Sequence, residues 1–170
     1  MPTPEERNAA ILAGLRDIAP DYVFYLPSST LKSILKGLED SGTRLYPLTR
    51  EEEGIGIASG LALTGARSLL IIQDNGLGNA LTAITTFPQA YHIPIFLLVS
   101  QRGGLGEYNS MIHTFCEHVE DILDAAQLRY FKLDVRVPLS EWTPTVKLAY
   151  AYMQTTHRPI VLLCNLMAGQ

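Results

Sequence analysis

The sequence predicts an α/β fold: a single three-layer α/β/α domain built on a mainly parallel sheet of about six strands. Two patterns lead there. Six short apolar runs, at 22–26, 44–48, 68–73, 94–100, 129–133 and 159–164, have the length and continuous hydrophobicity of strands buried on both faces. Stretches of helical pattern at 30–40, 51–64, 78–90, 117–126 and 141–155 separate them, so strand and helix alternate along the chain. An opening helix comes first. Thr3-Pro4 supplies a hydroxyl cap with proline at the first helical position, and Ala9, Ile11, Leu12 and Leu15 recur at helical spacing before Pro20. Residues 102–115 read as a polar, glycine-bearing loop longer than the usual connection.

Composition narrows the function classes. At 170 residues with 47% apolar side chains, the chain can close one core and is too short for two ordinary domains. Thirteen basic against 17 acidic residues, with no basic block, exclude the electrostatic footprint of a nucleic-acid binder. Cys116 and Cys164 lack any CxxC spacing, and reduced thiols in a cytoplasmic protein are expected. The run 93–99 is far too short to cross a bilayer, so no membrane role is expected. His113 and His118 are five apart, which does not put both on one helical face as metal ligands, so no metal site of the chain's own is expected.

In open parallel sheets ligands sit beyond the carboxyl ends of the strands, so the segments after each run carry the interest. The first is Pro27-Ser28-Ser29-Thr30, for which helix capping is the simple explanation. Next, Arg50 precedes Glu51, Glu52 and Glu53, three carboxylates at a helix start where the dipole favours them by roughly 0.3–1 kcal/mol each. That helix also carries Gly54, Gly56 and Gly60, each costing about 1 kcal/mol relative to alanine, which points to close packing against a backbone, a ligand or a subunit. After the third run, Asp74-Asn75-Gly76-Leu77-Gly78-Asn79 leads into a helix and could face an anion or a polar ring. A dinucleotide fingerprint is a weak alternative, because Leu81 stands where its third glycine belongs. After the fourth run comes Ser100-Gln101-Arg102-Gly103-Gly104-Leu105-Gly106-Glu107.

Taken together, Arg50 to Gly60, Gln73 to Asn79 and Ser100 to Glu107 resemble the pyrimidine domain of thiamine diphosphate enzymes, most closely the sulfopyruvate and phosphonopyruvate decarboxylase group. The resemblance runs from about Tyr22 to Glu107, with Asp74-Asn75 in place of the more usual Asn-Ser and Gln101 where histidine is common. It implies that a glutamate at the start of the glycine-rich helix bonds the cofactor's pyrimidine nitrogen. The interval to Gly60 selects Glu51, with Glu52 second. The same resemblance implies cofactor contacts from Asn75, Gly76, Leu77, Gly78 and Asn79. It places the loop with Ser28 and Ser29 at the pocket of a small 2-oxoacid, and Arg50 and Arg102 could hold that substrate's distal anion by a forked, charge-assisted contact, although an isolated arginine is usually a solvated surface group.

The group's Gly-Asp-Gly segment, which holds the diphosphate through Mg2+, does not occur in these 170 residues. The resemblance therefore implies that residues 1–170 are one pyrimidine domain and that the diphosphate-binding domain lies on a separate beta subunit. Alpha and beta subunits would pair in a hetero-oligomer. The implied activity is thiamine diphosphate-dependent decarboxylation of 3-sulfopyruvate to sulfoacetaldehyde and CO2. The alternatives are a phosphonopyruvate decarboxylase or carboligase subunit, and a regulatory module with a degenerate form of this fold.

Overall fold

The computed structural model describes residues 2–104 and 107–167. Six parallel strands form its sheet: β1 (Tyr22–Tyr25), β2 (Leu45–Pro47), β3 (Ser68–Gln73), β4 (Phe96–Ser100), β5 (Arg129–Leu133) and β6 (Ile160–Cys164), in the order β2-β1-β3-β4-β6-β5. Each expected strand is present.

The helices are α1 (Pro4–Ile18), α2 (Lys32–Asp40), α3 (Glu51–Leu63), α4 (Asp74–Thr86), α5 (Ser110–Cys116), α6 (Val119–Ala125) and α7 (Trp142–Thr156). Thr3 opens α1 through a reciprocal cap with Glu6, and Pro4 sits in its first turn. Two expectations need correction. The segment 74–77, read as a turn, already belongs to α4; its glycines lower helical propensity and hid the true start. The loop 102–115 ends in a helix, α5, which Asn109 caps by accepting from the Met111 N–H.

Side chains alternate along each strand, so the sheet feeds two cores. In β3, Leu69 and Ile71 join one core with Ile11 and Leu15 of α1, Ile34 of α2 and Val146 of α7. Leu70 and Ile72 join the other with Ile55 of α3, Leu77 of α4 and Val119 of α6. Burying such residues stabilises the fold by about 1.5–3 kcal/mol each. Helices α1 and α7 lie so close that a Cβ on Gly14 would be 2.6 Å from Val146 Cβ.

The strand order locates the site. From β1 the chain moves outward to β2 and then returns past β1 to β3, so the connections after β1 and β3 leave on opposite sides. That reversal opens a crevice at the carboxyl ends of β1 and β3, where ligands bind in folds of this kind.

Candidate active site

Helices α3 and α4 start at this edge and pack on one another. The three glutamates of α3 diverge. Glu53 reaches back to the Thr49 hydroxyl at 3.1 Å, an end-of-helix contact. Glu52 accepts from Arg50 Nε at 2.6 Å, and its second oxygen is buried with no partner among the described residues. Glu51 turns toward α4, where its Oε2 accepts from Asn79 Nδ2 at 3.1 Å. Its Oε1 lies where a Cβ on Gly76 would come within 2.2 Å, so glycine at that position makes room for the carboxyl group.

The helix N-terminus and the glutamate therefore meet through a residue without a side chain. Gly78 has a similar reason, since a Cβ there would meet the Phe115 ring at 2.8 Å. Leu77 is fully buried in the core beneath, while Asn75 and Asn79 are exposed at the site. This cradle fits a ring nitrogen that shares a proton with a carboxyl group: Glu51 is half-buried, has one oxygen fixed by a neutral amide, and pairs with no cation among the described residues.

A second group of side chains spans the crevice. Ser28 Oγ donates to Gln73 Oε1 at 3.1 Å and lies 3.1 Å from Thr30 Oγ1, which in turn lies 3.0 Å from Ser100 Oγ. These residues come from the connection after β1 and the ends of β3 and β4. Ser29 is exposed at the start of a 3-10 turn, Ser29–Leu31, that leads into α2.

The two arginines assigned to the substrate face elsewhere. Arg50 is 72% exposed and holds Glu52. Arg102 is buried, and its Nε and Nη2 donate to the two oxygens of Glu107 at 2.6 and 2.8 Å. Glu107 also accepts from the Asn109 N–H, and the guanidinium holds its carboxyl down at about 2 against the usual 4.5. His113 closes this loop: one ring nitrogen bonds the Glu107 carbonyl and the other the Glu117 carboxylate. Two acceptors call for two N–H groups, and these contacts raise the pKa of the imidazole. Leu105 and Gly106 lie outside the described residues.

Asp74, given no role from the sequence, is fully buried and joins the two regions. Its oxygens accept the Asn75 N–H at 2.9 Å and the Arg102 N–H at 2.6 Å. Burial nevertheless raises its pKa above the ordinary value, and burial also pushes the Cys116 thiol up. Sequence reading also gave no role to Gln73 or Ser100. Their position at the last residue of adjacent parallel strands was the available signal.

Residues 6–128 match the family of the thiamine pyrophosphate enzyme, N-terminal TPP binding domain. The chain is similar to the sulfopyruvate decarboxylase subunit alpha of Methanococcus maripaludis, 35% identical over 73% of this chain and 75% of that one. The subunit alpha of Methanocaldococcus jannaschii is 32% identical over 92% of this chain and 91% of its own. A sulfopyruvate decarboxylase of Methanosarcina acetivorans is 32% identical over 75% of this chain, which amounts to 32% of that longer protein. Among the described residues no helix is long and apolar enough to cross a membrane. With a parallel sheet that ends in a carboxylate cradle and a family match over most of its length, the chain belongs to the thiamine pyrophosphate enzymes as one of their N-terminal TPP-binding domains.

Proposed function

We propose that this chain is the alpha subunit of a thiamine diphosphate-dependent decarboxylase that converts 3-sulfopyruvate to sulfoacetaldehyde and CO2 with a beta subunit. The observation that carries the reading is the Glu51 carboxyl group lodged against Gly76 and held by Asn79. The names of the relatives supply the substrate.

Glu51 is assigned the pyrimidine nitrogen, and the first turn of α4, from Asn75 to Asn79, lines the ring's site. Asn79 fixes Glu51 Oε2, which leaves Oε1 to hold or release a proton toward the ring. When bound, thiamine diphosphate supplies the electron sink that 2-oxoacid decarboxylation requires. Ser28 and Ser29 stand at the substrate end of the crevice. Arg50 and Arg102 reach a distal sulfonate only by exchanging their present carboxylate partners.

The relatives that this chain matches over most of their own length are named as alpha subunits, so a separate beta subunit is assigned the diphosphate and its Mg2+. In the longer Methanosarcina relative the matched region is about a third of the polypeptide, which leaves room for both halves on one chain. A cytoplasmic location suits such an assembly. Purified alone, the chain is expected to decarboxylate nothing; mixed with its beta subunit, thiamine diphosphate and Mg2+, it should turn over 3-sulfopyruvate. Full turnover by the isolated chain would overturn the assignment of the missing half.

A further inference from the structure

We infer that Gln73 binds the reacting carboxylate of the 2-oxoacid through its side-chain amide, and that the hydroxyl row Ser28, Thr30 and Ser100 aims it. This rests on the decarboxylase reading above and assigns a residue that the reading leaves without a role. Each hydroxyl owns one hydrogen. Ser28 gives its hydrogen to Gln73 Oε1, so Thr30 must donate to Ser28, and Ser100 must then donate to Thr30. The row therefore runs one way, from fully buried Ser100 to the Gln73 carbonyl. Chains of this kind polarise along their length, which strengthens the amide as a donor at the far end.

With its oxygen engaged, Gln73 keeps both Nε2 hydrogens, and no described residue accepts them. Its side chain is half-buried at the end of β3, in the crevice between β1 and β4 neighbours, and cannot swing without breaking the row. An amide donor fixed in this way is preorganised for an acceptor oxygen.

The two arginines at this edge are engaged. Arg102 is held in its fork with Glu107, and Arg50 is turned out to Glu52. A neutral donor also suits the chemistry. The carboxylate's charge leaves that position as CO2 departs, so a cation there would stabilise the bound substrate more than the transition state. An amide orients the carboxylate with less of that ground-state stabilisation.

The test uses the assembled complex with thiamine diphosphate and Mg2+, comparing the parent with Gln73→Ala, Gln73→Glu and Ser28→Ala. Three quantities are measured: the Kd of the unreactive 2-hydroxy analogue of sulfopyruvate by calorimetry, KM and kcat for 3-sulfopyruvate, and the exchange of the aldehyde hydrogen of sulfoacetaldehyde with deuterated solvent. The last uses the cofactor and Glu51 but no carboxylate. Gln73→Ala should raise KM and the analogue Kd about tenfold while kcat stays within about threefold, the pattern of a lost binding contact. Gln73→Glu, which sets like charges together, should raise both by about 100-fold or more. Ser28→Ala should shift both in the same direction by about threefold, and Ser28→Thr should restore them. Aldehyde exchange should change less than about threefold in every variant.

An unchanged Kd and KM in Gln73→Ala would overturn the inference. So would a joint fall of decarboxylation and aldehyde exchange with an unchanged analogue Kd, since Gln73 would then serve the cofactor. If the parent complex neither decarboxylates nor exchanges, the decarboxylase reading itself fails, and the analogue titration still decides whether Gln73 binds the carboxylate.

Discussion

Two carboxyl groups at the carboxyl edge of the sheet, one after β2 and one after β4, illustrate opposite uses of the same chemistry. Glu107 sits in the segment after β4 with a guanidinium fork on its oxygens and a backbone N–H beside them. Glu51 sits at the start of α3 with one neutral amide on one oxygen and, at the other, space that only a glycine leaves free. The first carboxylate is fixed in its ionised form and ties a loop to the sheet. The second is fixed in position by a neutral amide and pairs with no cation among the described residues. The difference comes from the partners, not from the acid, and it separates a structural anchor from the group we propose to share a proton with the cofactor.

The largest effect should come from breaking the anchor. Glu107→Ala leaves the Arg102 charge buried without its partner, and losing one member of a buried pair costs about 3–5 kcal/mol. Thermal unfolding would show the drop. The pH dependence has a defined sign. The fold lowers Glu107 to about 2 from the usual 4.5, so its contribution is complete above about pH 4.5 and is lost as pH falls through about 2. Asp74, raised by burial, acts the other way, because protonating it relieves a cost. The parent minus the variant therefore isolates the Glu107 arm. A variant with parent-like acid unfolding would remove the anchor from the comparison.

Gly76→Ala probes the other side. Its new Cβ meets the end of a flexible side chain, so Glu51 should move while the fold holds, and alanine even favours the helix by up to about 1 kcal/mol. Activity of the assembled complex should fall roughly tenfold, about 1.4 kcal/mol, with no loss of melting temperature. A drop in stability without a drop in activity would show that this glycine serves packing alone.

The smallest effect is expected at Asn79. Asn79→Ala removes one hydrogen bond to Glu51, worth about 0.5–1.5 kcal/mol, and should lower kcat/KM by no more than about tenfold. Parent-like kinetics would show that Gly76 alone positions the carboxyl group.

The parallel sheet was legible because strands such as β3 carry an uninterrupted apolar stretch, Leu69 to Ile72 there, as expected of strands buried on both faces. Glu51, Gly76 and Asn79 were legible as a set through family resemblance, but not the reason for the glycine. That reason is a contact between two helices, and no local propensity reports it. The start of α4 was misplaced for the same cause, since glycines that admit Glu51 and Phe115 look like turn residues when read alone. The Arg102 partner lies only five positions downstream, yet a polar loop gives no periodicity by which to pair its charges. The row from Ser100 to Gln73 depends on β1, β3 and β4 being neighbours, an order that the succession of elements does not state.

We propose that Glu51, and not its neighbour Glu52, shares a proton with the cofactor. Glu51→Gln and Glu52→Gln in the assembled complex test it most directly, with kcat and aldehyde-hydrogen exchange measured beside binding of the beta subunit. Glutamine keeps the size and one acceptor but cannot carry the proton. A loss of about 100-fold or more, about 2.7 kcal/mol, is expected in Glu51→Gln with subunit association intact, and less than about fivefold in Glu52→Gln. Full activity in Glu51→Gln with loss in Glu52→Gln would contradict it.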